Sequence, residues 1–155
     1  IDYEDIGHEI NYDYLENTNS IDSHSLGGSK KIAGEFIELL CDRSTTYANL
    51  YNDLINEPKD RINRVTAFIR DIDKSLIPIS SMLPVDGLIV WVLGNRSVGG
   101  QRIQLDDILI ELLEEHNVHL VSKLARRIPS KRMATKNNMS ETMSTESILI
   151  MRKAG

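Results

Sequence analysis

Apolar positions follow two rhythms, and the change between them divides the chain. In the first half they recur every three or four residues, the spacing that lines one side of a helix. Ile32, Phe36, Ile37, Leu39 and Leu40 predict a helix over 30–43, with Ser29 as its N-cap. Tyr47, Leu50, Tyr51, Leu54 and Ile55 predict a second over 45–56, ended by Pro58. Ile62, Val65, Ile69, Ile72, Leu76 and Ile79 predict a third from Asp60 onward, which Pro78 should kink or break in its final turn.

The second rhythm begins with the unbroken run Leu-Ile-Val-Trp-Val-Leu at 88–93, entered through Pro84 and Gly87 and left through Gly94. Its length and β-branched content predict a central strand, with helices covering both of its faces. Asn95, Arg96 and a flexible Gly-rich stretch over 97–100 follow at the carboxyl end, where open α/β sheets bind ligands. Next comes an amphipathic helix over 105–116. Leu105, Ile108, Leu109, Leu112 and Leu113 form its apolar stripe, and Asp106, Asp107, Glu111, Glu114 and Glu115 its polar face. Asn117 closes it. A strand over 118–127, a polar loop over 129–145 and a last strand over 148–151 complete an α/β ending. Three strands are few for so many helices, so partner strands are expected to be missing. The chain reads as a single partial domain over 1–155: a loop-rich segment (1–29), a helical segment (30–83) and the strand–helix–strand–loop–strand end of a sheet (84–153).

Composition narrows the chemistry. The 155 residues are 41% hydrophobic and 26% charged, a globular balance. No apolar run approaches the roughly 20 residues of a membrane span, and the acidic start is unlike a signal peptide. Cys41 is the only cysteine, beside Leu39 and Leu40, which reads as a small core side chain in a reducing cytoplasm. Net charge is −5 but unevenly spread. Seven acidic residues lie between Asp2 and Asp22 before any Lys or Arg, whereas 117–140 holds Lys123, Arg126, Arg127, Lys131, Arg132 and Lys136 with no acid. Such a tract concentrates phosphate contacts on one surface and points to nucleic acid. Gln101 and Arg102 stand where a phosphate loop needs Lys and Ser/Thr. His116 and His119 straddle a helix-to-strand junction without a Cys partner, so they read as structural rather than as metal ligands.

The tract Gly87 to Arg96 (GLIVWVLGNR), the segment Ile128 to Met133 (IPSKRM) with Asn137 and Asn138 behind it, Thr142-Met143, and Glu146 to Lys153 (ESILIMRK) together resemble the C-terminal half of S-adenosylmethionine-dependent DNA amino-methyltransferases. The turn Leu26-Gly27-Gly28 is similar to one in the same family. The resemblance implies the C-terminal part of a Rossmann-like class I methyltransferase fold, a mixed sheet whose antiparallel last strand inserts between the two before it. It also implies methyl transfer to the exocyclic amino group of adenine or cytosine, in a base flipped out of DNA, within a restriction-modification system.

That family holds the cofactor with a Phe-x-Gly-x-Gly turn and the amino group with a Pro-Pro-Tyr or Pro-Pro-Phe turn. This chain contains neither, so it names no catalytic residue and is expected to need an upstream half of the domain as partner. Asn95, Arg96, Lys131, Arg132, Lys136 and Asn138 are the residues expected near DNA or the target base. The open apolar edge of the 88–93 strand would favour pairing with a second copy. The competing expectation is a non-catalytic nucleic-acid-binding or scaffold module of methyltransferase-like shape.

Overall fold

Helices form where the three-and-four spacing puts them. The computed structural model describes residues 25–28, 34–98, 100–128 and 145–155, in which α1 spans Gly34–Arg43, α2 Thr45–Leu54 and α3 Lys59–Met82. Ser44 caps α2, its hydroxyl accepting the Tyr47 N–H at 3.0 Å. The stripe Tyr47, Leu50 and Leu54 is buried, as are Ile62, Val65, Ile69, Ile72 and Leu76 on α3. Pro78 does not end that helix. It lies on the exposed side, and the buried Leu76 and Ser80 hold the turn around it against the core, so the helix continues to Met82 despite one missing donor. Ser29, the loop-rich 1–24 and the 129–144 loop lie outside the described residues.

The chain then turns tightly into β1, Leu88–Leu93. Gly87 is required there because a Cβ would stand 2.7 Å from the Pro84 carbonyl oxygen. Contrary to the expectation of a flexible stretch, a short hairpin follows, β2 (Ser97–Val98) against β3 (Gln101–Arg102). It is closed by the Ile103 N–H donating to the Arg96 carbonyl at 2.7 Å. Helix α4, Leu105–Glu114, leads through Asn117, in the left-handed region at φ 56°, to β4, Val118–Arg127. The last strand, β5, runs over Thr145–Lys153, longer at both ends than the apolar run.

The sheet order is β1-β5-β4, with β5 antiparallel to both neighbours. The last strand therefore lies between the other two, as the resemblance implied. Leu93 pairs with Ser147 and Leu88 with Arg152 on one side of β5. Val118 pairs with Lys153 and Arg127 with Thr145 on the other, with a register shift between Leu120 and Ser122.

The helices cover one face of this sheet. Leu112, Leu113, Leu149 and Met151 are fully buried between them. The expectation that β1 is covered on both faces fails, because Leu88, Val90 and Val92 are 58%, 59% and 55% exposed, while Ile89, Trp91 and Leu93 pack on the core. A six-residue apolar run hides this alternation, which only the tertiary layering reveals. The polar-face assignment on α4 also needs correction, since Asp106 is 2% exposed and Glu111 half-buried. No described helix is long and apolar enough to cross a membrane.

Candidate functional site

The carboxyl end of β1 is tied to three other elements through one carboxylate. Asn95 donates from Nδ2 to Asp106 Oδ1 at 2.8 Å, and its Oδ1 accepts the Asp106 N–H at 3.4 Å. Gln104, at the N-cap position of α4, makes no side-chain cap bond, so Asn95 serves from outside the helix. Asp106 Oδ2 accepts from Ser147 Oγ on β5 at 2.7 Å and pairs with Lys123 Nζ on β4 at 2.9 Å. Lys123 also reaches Asp107 at 2.6 Å. Burial alone would push the Asp106 carboxyl up, but hydrogen bonds from Ser147, Lys123 and Asn95 outweigh it and bring it down to about 2. Burial likewise opposes the charge on Lys123, and the two carboxylates overcome it and raise its ammonium.

The sequence pattern reveals only part of this network. Asn95, expected near DNA or the target base, has both ends of its amide engaged by Asp106. Asp106, expected on the polar face of the helix, is buried. The available signal was its spacing, three residues before Leu109 and seven before Leu113, which places it in the apolar stripe.

Arg96 is placed differently. Its backbone carbonyl anchors the hairpin, while its side chain is exposed and has no hydrogen bond or ion pair among the described residues. It lies at a cleft of about 550 Å³ between the end of β1 and the first half of α3. The cleft includes Arg64, Phe68 and Val98, and the turn at Leu26 forms part of its wall.

That turn is pinned to α3. Gly28 N–H closes it on the Ser25 carbonyl at 2.9 Å, and Gly27 N–H donates to Asp71 Oδ2 at 2.8 Å. Gly27 has φ 79°, and a Cβ there would meet the Phe68 Cβ at 3.3 Å, so the backbone approaches the helix as only glycine allows. Burial raises the Asp71 carboxyl, and the Arg70 guanidinium and Gly27 N–H outweigh it, leaving it below its usual range. Lys131, Arg132, Lys136 and Asn138 lie outside the described residues. Cys41 is half-buried, and burial, with Asp42 and Glu38 nearby, pushes its thiol up, the opposite of an activated nucleophile.

Over 144 aligned residues, 86% of this chain, the sequence is 32% identical to the Type II methyltransferase M.MvaI of Kocuria varians. The chain is a relative of a Type II methyltransferase. It spans 31% of that protein's length. No protein-family profile and no solved structure matches it.

The resemblance to methyltransferases raises the question of S-adenosylmethionine, and the described residues do not build a cradle for it. The glycine at the end of β1 leads into Asn95 and the hairpin rather than a glycine-rich turn opening a helix. The adjoining cleft offers no carboxylate for ribose hydroxyls among its lining residues. No chemical step is therefore derived through the cofactor.

Proposed function

We propose that this chain is the C-terminal part of the catalytic domain of a site-specific DNA methyltransferase. The whole enzyme transfers a methyl group from S-adenosylmethionine to an exocyclic amino group of adenine or cytosine, within a restriction-modification system. The observation that carries this reading is the match to a Type II methyltransferase along 86% of the chain. Its support in the fold is the β1-β5-β4 order with β5 antiparallel between its neighbours, the ending that a Rossmann-like methyltransferase sheet requires.

In this reading the described residues position rather than react. The Asn95–Asp106–Ser147–Lys123 network fixes the end of β1 against α4, β5 and β4, making a rigid wall beside the target base. Arg96, together with Lys131, Arg132 and Lys136 from outside the described residues, supplies phosphate contacts, and Asn138 belongs near DNA or the target base. The groups that hold the cofactor and the amino nitrogen come from the remainder of the domain. Such alignment is worth about 7 to 11 kcal/mol of barrier in well-organised sites.

The test is methyl transfer from labelled S-adenosylmethionine to unmethylated genomic DNA. Residues 1–155 alone should give no transfer, and a protein extended to the length of the relative should be active. Activity from residues 1–155 would overturn the part-domain reading. Inactivity of a folded, extended protein would favour the non-catalytic module.

A further inference from the structure

The cleft beside β1 has an unusual lining for a site next to methyl-transfer chemistry. Among its described side chains there is no carboxylate, amide or hydroxyl. Its accessible apolar surface comes from Phe68 on α3 and Val98 on the hairpin, Val65 and Ile69 being buried, with the guanidinium groups of Arg64 and Arg96 beside it. Arg64 pairs with Asp60 at 2.8 Å, whereas Arg96 has no partner among the described residues. A volume of about 550 Å³ lies within the range of small-molecule sites.

A flat apolar body carrying a negative charge at one end complements this lining, and a nucleotide has that form. No lining side chain can accept a hydrogen bond from an exocyclic amino group, and the proposed function takes the groups that hold the reacting amino nitrogen from the remainder of the domain. We propose that it is a subsite for one nucleotide of the DNA other than the methylated one. The base lies against Phe68 and Val98, and its phosphate meets Arg96. The Leu26 turn, held by the Gly27–Asp71 hydrogen bond, forms the rim. The proposal rests on the DNA methyltransferase reading above.

The two parts of the nucleotide contribute differently to binding, and that difference is the test. In the extended protein, DNA affinity is measured over a salt series for the parent, Arg96→Ala and Val98→Trp, which fills the cleft, with thermal melting as a folding control. Arg96→Ala should lower the slope of log affinity against log salt by about 0.9, the loss of one phosphate contact. Val98→Trp should weaken binding about 5- to 150-fold with the slope unchanged, because base stacking is not screened by salt. Arg96 is exposed, so its variant remains informative if Val98→Trp does not fold.

A parent that methylates DNA, with both folded variants binding as the parent does, would overturn the subsite alone. A parent that neither binds nor methylates DNA would overturn the methyltransferase reading and the subsite with it. A deoxynucleoside monophosphate that protects the parent but not Val98→Trp against heat, with DNA binding equal in the two, would make the cleft a free-nucleotide site and overturn the DNA assignment.

Discussion

Asp106 shows how one buried carboxylate organises a strand end. Its side chain is 3% exposed, yet it is ionised because Ser147, Lys123 and Asn95 all address it. Its pKa falls from an ordinary 3.8 to about 2, so the folded state holds the proton less tightly than the unfolded chain does. The resulting stability is fully present above about pH 4 and is lost as pH falls through 2. At about 1.4 kcal/mol per unit it amounts to roughly 2 kcal/mol. Asp71, also lowered, acts in the same direction, so the difference between parent and variant isolates Asp106. Asp106→Asn should lose about 2 kcal/mol at pH 7, because a neutral amide forgoes the charge-assisted bonds from Ser147, Lys123 and Asn95, while Lys123 keeps Asp107. Its urea-unfolding stability should also decline less than the parent's between pH 4 and 2. Parallel pH curves for parent and variant would show that the network does not hold the charge.

Among the elements, helix positions were the most legible in sequence and strand environment the least. Three-and-four spacing located α2, α3 and α4 to within a few residues because each buries a single stripe. Glu111 marks where that reading stopped. It stands on the polar side of α4, which suggests a solvated residue, but in the fold it accepts from the Ser44 hydroxyl, from Thr46 Oγ1 at 2.8 Å and from the Thr46 N–H at 3.2 Å. It thus binds the N-terminus of α2, where a carboxylate suits both the free N–H groups and the helix dipole. The partners lie 65 and 67 residues away in sequence, so no local pattern could reveal them. Leu112→Ala should cost about 2 to 5 kcal/mol as a core truncation, and Glu111→Ala about 1 to 2 kcal/mol as a lost cap. Equilibrium urea unfolding measures both. A cost under about 0.5 kcal/mol for Glu111→Ala would place that residue back in solvent.

At the scale of the molecule, the described fold is two layers: helices on one face of a sheet whose other face is bare. Leu88, Val90 and Val92 on β1 are more than half exposed, and Leu124 across β5 is 49% exposed. The sequence carried the apolar run but not its consequence, because a run apolar at every position does not distinguish a covered face from an open one. β1 is also an edge strand in this sheet, hydrogen-bonded only to β5 among the described residues. A contiguous apolar face ending in an unpaired edge favours association. Residues 1–155 should therefore self-associate at micromolar concentration, read by sedimentation velocity. Val90→Lys should suppress that association while changing unfolding stability by no more than about 0.5 kcal/mol, as for a surface position. Ile89→Lys, one residue earlier and turned toward the helices, should prevent folding, since neighbouring strand residues face opposite sides and a lysine there would bury an unpaired charge. If Val90→Lys unfolds the protein as Ile89→Lys does, the outer face is covered and the two-layer description is wrong. If Val90→Lys leaves both folding and association unchanged, association proceeds through another surface.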